Sequence, residues 1–318
     1  MLKIFAIFLT IFVYDGAVHA ADNIRLGVPG GGGHITLPIA HKRGFLKEQG
    51  IEAEIIRITG TVGTAALASG EIDYFTNLGI SVRAAIGGLP VRIVACNLAT
   101  VPFVFMARPE FRSVQELKGR TIGVNNFGGV PDLISRMTLK HYGLDPEKEV
   151  KIILAGTEAE ARIAAMKQGL IAATMVTVPF NLQASKMGFS VLARPYELFS
   201  FPDGGIVATV KKIKEKPDEI KRVIKAAIKA NRYIRADRDG TIQAVMEHYR
   251  TDKETAMVIY EFVTKALSED GSLPENGTRL IIDEARKVTK INREVPISEV
   301  ADLSILREAQ KELGIKGK

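Results

Sequence analysis

The chain has one cysteine, Cys96, among its 318 residues. A single cysteine excludes an intrachain disulfide and any cysteine-built metal cluster. Cys96 sits in the apolar strand pattern VRIVACNL and reads as a small buried hydrophobe. His34, His41, His141 and His248 show no paired ligand spacing, so no metal site is expected. No G-x-S-x-G elbow occurs and Cys96 has no evident base, so no catalytic residues are assigned and the chain reads as a non-enzyme. The glycine run Gly30 to Gly33 is followed by His34, Ile35 and Thr36, where a phosphate loop needs a lysine. Neither GVPGGGGHITLP nor GVNNFGGVP has the G-x-G-x-x-G spacing of a dinucleotide site. No cofactor is expected. Beyond residue 20 no apolar stretch is long enough to span a bilayer.

What is present begins with charge. Lysine and arginine number 43 against 36 acidic residues, a formal net charge of +7. The basic residues spread along helical patterns such as IKRVIKAAIKANRYIRADR rather than clustering with aromatics, so nucleic acid is not the expected partner. Lys221, Arg222, Lys225 and Lys229 read as a solvated helix face. The same balance suits electrostatic steering of small anions. Residues 1–20 place Lys3 before the apolar IFAIFLTIFVY and the small-residue site DGAVHA, the pattern of a secretory signal peptide. The absence of cysteine at that site excludes lipid attachment there, so a free periplasmic protein is expected.

The sequence also carries an internal duplication. Gly27 in IRLGV matches Gly123 in TIGV, and Gly44 in HKRGFLKEQG matches Gly143 in LKHYGLDPEKE. Gly60 in AEIIRITGT matches Gly156 in VKIILAGTE, and Gly70 in AALASGEIDYFT matches Gly169 in AAMKQGLIAATMV. Each copy reads as strand, glycine loop, helix, strand, loop, helix, strand, the alternation of parallel βαβ units. GLPVRIVACNLATVPFVFMARPE reads as a crossing to the second unit and RPYELFSFPDGGIVATVKK as the return. The expected organisation is a two-lobed α/β protein, each lobe a mostly parallel sheet flanked by helices. Lobe 1 comprises 21–106 and 206–318 with the C-terminal helices, lobe 2 comprises 107–205, and a cleft lies between them.

Ligands of open parallel sheets bind beyond the carboxyl ends of strands, at helix N-termini that offer unpaired N–H groups. The two glycine loops and the TGTVGT and AGTEAE segments occupy that position, so four helix starts are expected to face the cleft. The candidate contacts are Gly32, Gly33 and His34; Thr61; Asn77 and Leu78; Asn126, Phe127, Gly128 and Gly129; Thr157; and Thr177 and Pro179. Tyr74, Phe75 and Phe103 read as strand core, and Asp73 as the end of a helix-to-strand turn.

Several of these segments are shared with a known family. PIAHKRGFLKEQGIEAEI, AALASGEIDYFTN, GLPVRIVA, SVQELKGRTIGV, LKHYGLDPEKEVKI, AAMKQGLIAATMVTVPF and ASKMGFSVLA resemble the NMT1/THI5-like group, the ABC-transporter binding proteins for sulfonates, nitrate, taurine and pyrimidines. The resemblance covers about residues 24 to 210. It implies the type II periplasmic-binding-protein fold, closure of two lobes on a ligand, and delivery to an ABC permease; a monomer is expected. Ala172 stands where the family often has an acidic residue, and the four-glycine loop with His34 matches no cargo pattern. The same fold hosts a thiamine-pyrimidine synthase group and small-acid dehydratases, which form the enzymatic alternative; the synthase's cysteine-rich motif is absent. A sensor that presents its ligand is a third. Micromolar binding requires about 8 kcal/mol, while one helix N-terminus contributes roughly 0.3–1 kcal/mol to an anion. Closure and stacking by Phe127 are expected to supply the rest, for a small organic anion or a planar (hetero)aromatic acid.

Overall fold

A computed structural model describes residues 21–30, 33–58 and 60–315. Segment 1–20, read above as a signal peptide, and the candidate Gly32 lie outside them. In chain order the elements are β1 (Asp22–Val28), α1 (Thr36–Lys42), β2 (Ile51–Arg57), α2 (Gly60–Ser69), β3 (Tyr74–Asn77), α3 (Leu78–Ile86) and β4 (Val91–Leu98). The second unit follows with β5 (Phe103–Ala107), β6 (Thr121–Val124), α4 (Val130–His141), β7 (Lys151–Leu154), α5 (Ala159–Lys167), β8 (Ala173–Thr177), α6 (Phe180–Lys186) and β9 (Ser190–Ala193). After α7 (Pro195–Leu198), β10 (Gly204–Thr209) and α8 (Val210–Glu215), the chain continues as α9 (Pro217–Ala236), α10 (Arg238–Tyr249), α11 (Lys253–Ala266), α12 (Glu275–Thr289) and α13 (Ser304–Glu312).

The strands form two five-stranded sheets, ordered β2-β1-β3-β10-β4 and β7-β6-β8-β5-β9. In each sheet the first three strands pair in parallel and the fourth runs antiparallel to both its neighbours. The antiparallel strand is in each case the one that follows a crossing, β10 in lobe 1 and β5 in lobe 2. The sheets are therefore mixed, and their identical order is the duplication expressed in space. The crossing points differ by a few residues from the sequence expectation. Phe103–Met106 belongs to the lobe 2 sheet, because β5 pairs from Phe103 with Thr177 of β8. Gly204 and Gly205 belong to lobe 1, because β10 pairs from Gly204 with Leu98 of β4. The crossings thus lie at 99–102 and 199–203. Hydrophobic patterning located the strands but not which sheet each joins.

The matched glycines have physical causes. Gly44, Gly60 and Gly70, and their partners Gly143, Gly156 and Gly169, all adopt positive φ. This conformation strains any residue with a Cβ. The fourth pair, Gly27 and Gly123, lies near the carboxyl ends of β1 and β6, where an isoleucine side chain crosses close to the backbone.

The 20-residue helix α9 buries Ile220, Val223, Ile224, Ala227 and Ile228 along one stripe. It packs on α1, α13 and β4, tying the C-terminal helices to lobe 1. Its basic face is laced rather than free: Lys221 and Lys225 meet Glu312, Arg222 meets Asp22 and Asp218, and Lys229 meets Glu48. At the start of β3 the buried Tyr74 hydroxyl donates to Glu219 at 2.6 Å. Lys212 joins Glu219 to Asp73 at 2.8 and 2.9 Å. Tyr74, Phe75 and Cys96 are fully buried, as their strand patterns predicted. No described helix is long and apolar enough to cross a membrane.

Candidate functional site

The two crossings form the floor of a cavity of about 350 Å³ between the lobes, within the range of small-molecule sites. Val101 and Pro102 come from the outward crossing, Phe103 from the start of β5 just after it, and Phe201, Pro202 and Asp203 from the return. Backbone bonds fasten this floor to the helix starts above it. Val178 N–H donates to the Pro102 carbonyl at 2.8 Å, and Leu78 N–H donates to the Asp203 carbonyl at 2.9 Å. The walls are Gly30, Gly33 and His34 before α1, Asn77, Gly79, Ile80 and Arg83 at α3, Val130 at α4, and Thr177 to Phe180 leading into α6.

Of the candidate contacts, Gly33, His34, Asn77, Thr177 and Pro179 come together here. Gly33 is buried against Leu98 and Phe262, which would lie 3.0 and 3.2 Å from a Cβ at this position. The glycine permits the loop to enter the cleft close to the backbone. Asn77 caps α3, its side-chain oxygen accepting from Ile80 N–H at 3.1 Å. Pro179 is the corresponding residue before α6.

The other candidates stand elsewhere. Leu78 is fully buried in the lobe 1 core and offers the cleft no side chain. Thr61 and Thr157 are exposed and do not line the cavity. The reason is strand order: α2 and α5 follow β2 and β7, the edge strands, whereas α3 and α6 follow the strands beside the crossings. Asn126, Phe127 and Gly128 are exposed, and Gly129 is buried with the Asn126 amide beneath it, so only the adjoining Val130 reaches the cavity. Gly128 N–H donates instead to the buried Asp132 carboxylate at 2.8 Å, whose other oxygen accepts from Arg136 Nε at 2.7 Å. Arg162, also buried, donates from Nη1 to the carbonyls of Gly156, Thr157 and Glu158, turning that loop inward on itself.

Three of the lining residues that the sequence reading missed stand out. Phe103 is half-buried: it packs against the core, as its strand pattern predicted, and also lines the cavity. Arg83, on α3, lines it too. Glu284 of α12 accepts from Arg83 Nη2 alone, at 3.0 and 3.1 Å to its two oxygens, and Arg83 Nε is buried with no hydrogen-bond partner. Asp203 is the third, with its Oδ2 3.6 Å from His34 Nε2. Burial pushes the Asp203 carboxyl above the usual carboxylate range, and the neighbouring His34 opposes that shift. Burial also pushes His34 below its ordinary value, against the opposing pull of Asp203 and the Thr76 backbone. The His34 side chain is 8% exposed and its Nδ1 has no hydrogen-bond partner. Asp203 lies in SFPDGG on the return crossing; the expectation that crossings floor the cleft would have found it. No sequence pattern distinguishes Arg83 from the other helix arginines.

The NMT1/THI5-like family model matches residues 32–240, well over half of the chain. The chain belongs to the NMT1/THI5-like family. Among NMT1/THI5-like relatives, a Brucella abortus protein with a provisional binding-protein name is 25% identical over 245 residues, covering 74% of this chain and 75% of that one. A 4-amino-5-hydroxymethyl-2-methylpyrimidine phosphate synthase of Saccharomyces cerevisiae is 35% identical over 121 residues, but covers 36% of this chain and 34% of the synthase. Among solved structures, the periplasmic sulfonate-binding protein SsuA of Methylobacillus flagellatus KT superposes with a TM-score of 0.74 at 16% identity, covering 94% of this chain and 97% of that one. This likeness establishes the two-lobed periplasmic-binding-protein fold for the NMT1/THI5-like chain.

Proposed function

We propose that the protein is the solute-binding component of an ABC importer, working in the periplasm as a monomer. It takes a small organic anion or a (hetero)aromatic acid into the interlobe cavity and hands it to the permease. The observation that carries this reading is the cavity itself, floored by both crossings and walled by helix starts from both lobes. A ligand there touches both halves of the hinge, so binding and lobe closure are one event. Arg83, gripped by Glu284 through one nitrogen only, supplies a cation with donors to spare. Phe103, Phe180, Phe201 and four prolines give the cavity the apolar, aromatic lining that suits a planar or compact organic body.

The lining favours binding over turnover. Thr177 is the only hydroxyl residue among the lining residues, and Cys96 is buried with its thiol pushed up by desolvation, the opposite of an activated nucleophile. The synthase relative covers too little of either chain to carry its activity here. The test is a thermal-shift screen of organic acids, including aliphatic sulfonates and benzoates, followed by calorimetry and small-angle scattering on residues 21–318. A hit should compact the protein and, at a hundredfold excess over Kd, stabilise it by about 2.7 kcal/mol. Tight binding of neutral sugars alone, or conversion of the hit into product, would overturn the reading.

A further inference from the structure

Arg83 and Asp203 line the same cavity, and they have opposite chemistry. Arg83 offers N–H donors, whereas the Asp203 carboxylate offers acceptors on a floor otherwise made of Val, Phe and Pro. Asp203 is rigidly held by its backbone, which donates to the Leu98 carbonyl at 3.0 Å and accepts from Leu78 N–H at 2.9 Å. Its side chain has one partner among the described residues, His34, at 3.6 Å, beyond hydrogen-bond range. His34 in turn is packed among Gly33, Gly204 and Leu98, and is more than nine-tenths buried with an unpartnered Nδ1. An acceptor held this way in an apolar cavity remains costly until something donates to it. A simple anion would add a second negative group beside it.

We infer that Asp203, held by its backbone beside His34, is the specificity-determining contact of the cleft, receiving an N–H or ammonium of a ligand whose acidic group faces Arg83. The preferred ligand is then amphoteric, an organic acid that also carries a nitrogen donor, rather than a plain anion. This inference rests on the cleft being the ligand site. The titratable groups around Asp203 are His34 from the loop before α1, Cys96 from the neighbouring β4, and the Arg83–Glu284 pair across the cavity.

The probes are two nearly isosteric acids, 4-(aminomethyl)benzoate and 4-methylbenzoate, measured by calorimetry on the full mature chain. Wild type should bind the amino acid at least tenfold tighter, and Asp203→Asn should reduce that preference below threefold. In wild type the preference should also shrink as pH is lowered and Asp203, whose carboxyl burial holds above the usual range, takes up its proton, a response a purely structural Asp203 would not give and one that does not depend on the variant folding. Equal binding of the two acids, binding of neither, or a preference that survives Asp203→Asn would each overturn the inference. Gly79→Trp, which fills the cavity, separates the two readings: binding that persists in this variant would remove the cleft assignment itself.

Discussion

Gly27 of β1 and Gly123 of β6, 96 residues apart, meet the same obstacle in the two lobes. A Cβ on Gly27 would lie 2.5 Å from Ile72 Cδ1, and one on Gly123 would lie 2.5 Å from Ile171 Cδ1. The pairing differs in its second neighbour. Gly27 faces Ile58 and Phe75 atoms at 3.1 Å, whereas Gly123 faces the Ala155 Cβ at 2.8 Å, which no rotamer change can move. Gly123→Ala should therefore cost about 1–3 kcal/mol, the usual penalty of overpacking, and more than Gly27→Ala. Urea unfolding of the two variants checks the order; equal costs would mean that the isoleucines alone set the penalty.

Glu284 holds Arg83 while itself 4% exposed. Glu284→Gln should remove the counter-charge and leave Arg83 to the cleft. Affinity for 4-methylbenzoate should rise about threefold or more, and stability should fall by about 1–3 kcal/mol as the charged hydrogen bonds are lost. Arg83→Leu should abolish binding of the same acid. Calorimetry and chemical denaturation read the two effects separately.

The partly buried pair His34 and Asp203 gives opposed pH dependences. The His34 value is lowered in the folded state, so its contribution is lost as pH falls below the unfolded value of 6.5. The Asp203 value is raised, so its burial cost is present at neutral pH and is relieved as pH falls through that raised value towards 3.8. Asp203→Asn should accordingly be neutral or stabilising at pH 7, with its advantage fading in acid. Melting temperatures of wild type, Asp203→Asn and His34→Asn between pH 4 and 8 check the sign. A growing advantage of Asp203→Asn in acid would contradict it.

Cys96 is completely buried, with its thiol donating to the Leu98 carbonyl at 3.2 Å. Burial keeps the thiol protonated, so a disulfide reagent should leave it unmodified in the folded protein at pH 8 and label it fully in denaturant. The slow native-state rate should fall further when a cleft ligand is added, since β4 borders the hinge.

Much of this architecture was legible because the duplication is written in glycines whose backbone conformations tolerate nothing else. Gly70 and Gly169 end equivalent helices with φ of 82° and 77°, and the repeat can be read from them without any fold. The cleft was half legible. His34, Asn77 and Pro179 follow from the rule that ligands sit beyond strand ends. Thr61 and Thr157 obey the same rule but follow edge strands, and lateral strand order leaves no mark in local sequence. Asp203 and Arg83 were missed for a different reason: each becomes special through a partner far along the chain, His34 and Glu284.

The placement of β10 has a consequence for assembly in time. All five strands of the second sheet lie in one contiguous stretch, from Phe103 to Ala193, so that lobe is complete once about residue 200 has emerged. The first sheet is not, because β10 inserts between β3 and β4, strands made more than a hundred residues earlier. Until then both of those strands present bare hydrogen-bonding edges to whatever is nearby. The N-terminal half must wait, shielded or unfolded, for a strand that is made only after all five strands of its neighbour.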